Sequence, residues 1–126
     1  NPDMANPNYN TKLGIYEAGC GLDNTLVSYG HDEYLYQVLT QNKDVKLPPE
    51  ALYIIRYHSL YPWHDKCEYK ELESDFDRDM LSWVKLFNRH DLYTKKDIKY
   101  TEEQMAEMRA YYDALIDKFL PETLMW

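Results

Sequence analysis

The chain has 126 residues, a net charge of −8 and a mean hydropathy of −0.71. That length supports one hydrophobic core rather than two, and the acidic balance excludes the basic footprint that nucleic acids and anionic membranes require. No run approaches the roughly 18 apolar residues that span a bilayer, no signal-peptide pattern opens the chain, and Cys20 and Cys67 are too few for a disulfide framework, so a reduced, cytoplasmic setting is expected.

Residues 1–21 hold Pro2, Pro7, Gly14, Gly19 and Gly21 among several asparagines, a density of turn formers that predicts an irregular arm. Asp23 and Asn24 can cap a short apolar turn over residues 25–28 that ends near Gly30. A helix is predicted from His31, with Leu35, Val38 and Leu39 at three-to-four spacing and polar residues 41–46 closing it. Pro48, Pro49 and Glu50 open the next helix, because a first turn tolerates proline and favours a carboxylate. Its positions Ala51, Leu52, Ile54, Ile55 and Tyr57 are the most apolar in the chain. His58 falls on the face of Ala51 and Ile55, and Pro62 is expected to stop the helix.

A polar loop over residues 64–73 follows. Ser74 and Asp75 can then cap a helix carrying Met80, Leu81, Val84 and Phe87, which ends around His90 and Asp91. Thr101 to Gln104 form a capping box, and Met105, Met108, Tyr112, Leu115, Ile116 and Phe119 make one apolar stripe before Pro121. No strand signal of comparable length and no repeat is present. The expected fold class is all-α, with four or five helices.

The chain carries no Gly-rich phosphate loop, no G-x-S-x-G elbow and no zinc-type cysteine pairing, which leaves imidazole and carboxylate chemistry. His31 and His58 fall on apolar faces of predicted helices, whereas His64 and His90 lie in or beside loops. A lone histidine on such a face is more often a hydrogen-bonded core residue than a ligand. Two in one small helical chain suit a non-haem iron, manganese or zinc site built from inward-projecting side chains. Composition alone does not choose a carboxylate among Asp32, Glu33, Asp77, Asp79 and Asp91, each of which reads singly as a solvated surface charge. Asp91, at a helix end before Leu92-Tyr93, is the one placed to be pulled inward.

Three ordered blocks go further: Gly30-His31-Asp32-Glu33-Tyr34-Leu35-Tyr36-Gln37, Tyr53-Ile54-Ile55-Arg56-Tyr57-His58-Ser59-Leu60-Tyr61-Pro62-Trp63-His64, and Phe87-Asn88-Arg89-His90-Asp91-Leu92-Tyr93-Thr94-Lys95. With Leu13-Gly14, Cys20-Gly21-Leu22, Tyr111-Tyr112, Leu115-Ile116-Asp117-Lys118 and Trp126, they resemble the myo-inositol oxygenase family over nearly the whole chain. The resemblance implies an HD-domain-like helical bundle. Residues 1–126 would be the C-terminal part of its single catalytic domain, an irregular arm over 1–21 and helices over 22–126, with further helices upstream of Asn1.

It also implies conversion of myo-inositol and dioxygen to D-glucuronate and water by a mixed-valent pair of iron ions held by four histidines and two aspartates. His31 and His58 would ligate the iron that chelates substrate and Asp91 the other, the remaining three ligands lying outside this chain. Inositol has no acidic proton, so Lewis-acid binding of its oxygens is what lowers the alkoxide pKa. Asp32 does not match a ligand position in the family and is expected to cap or orient. His58, Ser59 and Lys95 are the expected substrate contacts, no catalytic residue beyond the metal ligands is implied, and Glu33 and the tyrosines are candidates to orient the imidazoles. The whole protein is expected to be a monomer without nucleic-acid or membrane partners. The competing readings are an HD-type metal-dependent phosphohydrolase, in which the same imidazoles hold metals that activate water, and an inactive fragment or helical interaction module. With upstream helices missing, faces such as Leu52 and Ile55 stay uncovered, so residues 1–126 alone are predicted to be poorly stable and inactive. A cooperative, iron-independent thermal melt of that piece would count against this.

Overall fold

Prolines and capping side chains set the helix starts. In the computed structural model, which describes residues 5–92 and 98–126, the described residues form five α-helices and no strand. Helix α1 (His31–Gln41) follows Gly30 and carries Asp32 and Glu33 in its first turn, where the helix dipole favours carboxylates. Helix α2 (Pro49–Tyr57) begins on a proline and has Glu50 in the same favoured place. Helix α3 (Tyr61–His64) is a single turn. Helices α4 (Asp75–Asp91) and α5 (Glu102–Phe119) both open on capping boxes, Ser74 with Asp77 and Thr101 with Gln104.

Two boundaries differ from the sequence expectation. The short turn is a 3₁₀ turn at Leu22–Asn24, ahead of residues 25–28, because the Leu22 carbonyl accepts from both the Thr25 amide (3.0 Å) and the Thr25 hydroxyl (2.7 Å). Helix α2 ends at Tyr57 rather than running to Pro62. Pro62 instead takes the second position of α3, where its missing N–H costs nothing, and it starts a turn rather than stopping one.

Helix α1 packs on α2, and α4 packs on α2 and α3. The core is Leu22, Tyr53, Tyr57, Trp63, Met80 and Val84, with Ile54, Leu60 and Leu81 against it. The buried face of α2 is therefore the Tyr53–Tyr57 pair, four residues apart, and not the aliphatic positions Ala51 and Ile55, which stay half-exposed. Buried aromatic hydroxyls and N–H groups need partners. Tyr53 donates to Asp77 (2.6 Å), Tyr57 to Asp23 (2.7 Å) and the Trp63 indole to Glu73 (2.6 Å). Burial first, and then the carboxylate acceptors, push both tyrosine pKa values far above the ordinary range, so each phenol remains a donor.

Asp77 corrects a second expectation, since it is only 1% exposed rather than a solvated charge. It accepts from the Leu22 amide (3.0 Å), the Ser74 amide (2.7 Å), the Ser74 hydroxyl (2.8 Å) and Tyr53. Gly21, at φ 88°, turns the chain so that the Leu22 amide can reach that carboxylate.

The α5 stripe forms as a helix face but lies open: Met105, Tyr112 and Ile116 are 54%, 58% and 51% exposed, and the helix buries no residue. Its C-terminal end is fastened to α1 and the residues after it. Phe119 accepts from the Lys46 amide (2.8 Å), Asn42 exchanges two 2.9 Å hydrogen bonds with the Met125 backbone, and Trp126 stacks on Tyr34. No helix among the described residues is long and apolar enough to cross a membrane.

Replacing Asp77 by Ala leaves the Leu22 amide and the Tyr53 hydroxyl buried without an acceptor. The whole protein is expected to lose on the order of 3 kcal/mol in urea unfolding, and a loss below about 1 kcal/mol would contradict this role.

Candidate metal centre

His31 is the first residue of α1 and His58 directly follows α2, so the packing of those helices brings the two imidazoles together. Their Nε2 atoms are 3.2 Å apart, and the rings meet edge to face at 5.2 Å between centroids. His58 Nδ1 lies 3.0 Å from the Ile55 carbonyl, a group that only accepts. Nδ1 therefore carries the proton, and the Nε2 lone pair faces His31. Phe87 of α4 packs edge-on against the same ring.

Metal–imidazole bonds of about 2.0–2.1 Å place two neighbouring nitrogens on one ion roughly 3 Å apart, so this spacing fits a shared metal. With the His58 Nε2 lone pair facing it, His31 Nε2–H is placed to donate across the same gap. His31 does not lie on a buried apolar face as the helix pattern predicts. As the first helical residue it is thrown outward, with its side chain 75% exposed.

Asp32 completes the group, with a carboxylate oxygen within 4.8 Å of both imidazoles. One of its oxygens accepts a short hydrogen bond from the Ser59 hydroxyl, and the other lies 3.8 Å from His31 Nδ1. Room for that carboxylate comes from Gly30, where a Cβ would stand 2.8 Å from Asp32 Oδ1. Partial burial raises the Asp32 pKa, but the Ser59 hydroxyl, the residue's own amide and the two imidazoles outweigh it, and the carboxyl sits below its usual value. A cleft of about 330 Å³, lined by Ser28, Gly30, His31, Asp32, Ser59 and Leu60 among others, opens beside His31 and Asp32.

Glu33 does not orient an imidazole. It takes Arg56 (2.6 Å) and Gln37 (2.6 Å), while Arg56 also reaches Asp23 (2.7 Å). Tyr53 and Tyr57 are likewise committed to Asp77 and Asp23. Asp91, at the last position of α4, is exposed rather than pulled inward and lies outside the His31–Asp32–His58 group; Asp79 is exposed too. Lys95 lies outside the described residues. His64, placed in a loop by its pattern, is 4% exposed and donates through Nε2 to the His58 carbonyl at 2.9 Å. Pro62 at a possible second helical position was the signal for that turn.

The whole chain, residues 1–126, matches the family model described as Myo-inositol oxygenase. The chain belongs to the myo-inositol oxygenase family. The inositol oxygenase of Mus musculus is 53% identical over 127 residues and that of Homo sapiens 51%, each alignment covering 100% of this chain and 43% of the relative. Inositol oxygenase 1 of Arabidopsis thaliana is 47% identical over 126 residues, covering 39% of its length. This family member thus spans less than half the length of the curated relatives it matches. The blocks around His31, His58 and Asp91 fall within that aligned length.

In the metal-free protein, long-range ¹H–¹⁵N correlation spectra are expected to show His58 as the Nδ1–H tautomer at neutral pH. A predominantly Nε2–H His58 would overturn the assignment of its lone pair to the side facing His31.

Proposed function

We propose that this chain is the C-terminal part of a single catalytic domain of a cytoplasmic, monomeric inositol oxygenase, which converts myo-inositol and one dioxygen to D-glucuronate and one water. The observation that carries this reading is the pair of imidazole nitrogens 3.2 Å apart beside the Ser59–Asp32 hydrogen bond, in a chain about half identical to proteins named inositol oxygenases. His31 and His58 would hold one iron of a mixed-valent pair and Asp91 the other, with three further ligands supplied from outside this chain. When bound, the iron pair supplies the Lewis acidity and redox capacity that oxidative ring cleavage of a neutral polyol requires.

The chain's own residues bind and orient. His58, locked by Ile55, offers its Nε2 lone pair without a competing tautomer. Ser59 donates its hydroxyl hydrogen bond to Asp32, which leaves the hydroxyl oxygen to accept from an inositol hydroxyl. Asp32 is thereby a positioning group for Ser59, and its carboxylate at α1's first turn stays ionised in that role. Lys95 joins the substrate contacts on the strength of the resemblance alone.

The phosphohydrolase reading fits this cleft poorly. Arg56, the cation lining it, is neutralised by Glu33 and Asp23 rather than free for a phosphate. A neutral polyol needs no such cation.

The test is oxygen uptake by the iron-loaded whole protein with and without myo-inositol, with glucuronate measured as product. His58→Ala is expected to lower turnover at least about 100-fold, as loss of a ligand does, while Ser59→Ala raises KM about 10-fold with kcat nearly unchanged, the size of one hydrogen bond. No inositol-dependent uptake by the wild type would sink the proposal, and release of phosphate from phosphomonoesters without oxygen would favour the phosphohydrolase.

A further inference from the structure

We propose that His64 and Asn88 are positioning residues that aim His58 by gripping its backbone carbonyl, an inference that rests on reading His58 as a metal ligand. The last carbonyls of a helix lack partners within it and must find them elsewhere. At the end of α2, the Ile54 carbonyl takes the His58 amide (2.9 Å) and the Ile55 carbonyl takes His58 Nδ1 (3.0 Å). The Tyr57 carbonyl takes the Leu60 amide (3.0 Å), and that of His58, just past the helix end, accepts from His64 Nε2 at 2.9 Å and from Asn88 Nδ2 at 3.3 Å.

His58 is thus held at three points: its amide and ring inside its own helix, and its carbonyl by two other elements. The ring's direction follows the backbone because its Nδ1 acceptor belongs to the same turn. If the carbonyl is released, the last turn of α2 frays, and the Nδ1 contact that fixes the tautomer goes with it.

The holders are themselves rigid. His64 is 4% exposed, with the Tyr61 ring 5.0 Å and the Trp63 ring 6.4 Å from its own. Asn88 Nδ2 also donates to the Val84 carbonyl one turn earlier in α4 (3.1 Å), while Asn88 Oδ1 is buried without a partner among the described residues. Buried amide oxygens are rarely left so. Turning the amide over would withdraw its donor from both the Val84 and His58 carbonyls, so the orientation that keeps those two contacts leaves the oxygen without a donor. His64 Nε2 is occupied by this bond, so His64 serves here as a donor rather than as a ligand.

The experiment compares His64→Leu with His64→Gln, which retains an N–H donor, in the whole protein. In the metal-free state, His64→Leu is expected to lose the single Nδ1–H signature of His58, and its iron(II) dissociation constant to rise about 10- to 100-fold, whereas His64→Gln stays within about threefold of wild type. If His64→Leu fails to fold, Asn88→Ala takes its place, with a smaller change in the same direction. A folded His64→Leu (or Asn88→Ala, where that stands in) with unchanged His58 tautomer and iron affinity overturns the proposal, as does a His64→Gln no better than His64→Leu. A wild type that shows no inositol-dependent oxygen uptake sinks the oxygenase reading separately, and the His58 spectra of the variants still decide this one.

Discussion

The fold is organised around one buried carboxylate. Asp77 is almost fully enclosed and collects four donors from three parts of the chain: Leu22 before α1, Tyr53 in α2, and Ser74 at the start of its own helix. An ionised group in such a place is costly unless every lone pair is used, and hydrogen bonds to a charge are the strong ones. Satisfying it therefore fixes where the N-terminal segment crosses α4 and which face of α2 turns inward. The same residue closes the capping box of α4 and adds its charge at the helix's positive end. Tertiary position and helix start depend on one side chain.

The candidate metal centre inherits that order through α2. Because Tyr53 and Tyr57 face the core, the residues that follow, His58 and Ser59, emerge on the α1 side. Arg56 then sets how α1 lies against α2, bridging Glu33 of α1 and Asp23 of the 3₁₀ turn while its guanidinium rests over Tyr36. With this register the first residue of α1 meets the residue after the last of α2. Local sequence fixes each ring's position in its own turn, but a charge pair and the buried phenols of α2 decide that the two rings meet.

Local signals in the sequence were legible where local physics decides. The Thr101–Gln104 capping box, the proline start of α2 and the His31 start of α1 all appear where the residues predict them. Burial was less legible, because it depends on what lies opposite. Asp77 and Asp79 look alike in sequence, yet one is buried and the other exposed, and the difference is the presence of Tyr53 and Leu22 across the core. His64 hid behind Pro62, which reads equally as the end of one helix or the start of another. The α5 stripe is correct as a periodicity and open as a surface, since periodicity specifies a face and not its cover. The pairing of His31 with His58 came from motif blocks rather than from spacing, and the geometry of the two rings supports it without testing the remaining ligands.

The two imidazoles differ in how firmly they are held, and this divides the work between them. His58 is half-buried, with its tautomer fixed by Ile55, its ring backed by Phe87 and its carbonyl taken by His64 and Asn88. His31 is largely exposed, and it meets His58 and a carboxylate 3.8 Å away that is already bonded to Ser59. A preorganised ligand loses little freedom on binding, whereas an exposed side chain must be ordered at a cost in rotamer entropy. An ion entering this group would therefore be oriented by His58 and closed upon by His31. Asp32 lies between the two, because one carboxylate stands beside the exposed imidazole and also holds the hydroxyl next to the half-buried one.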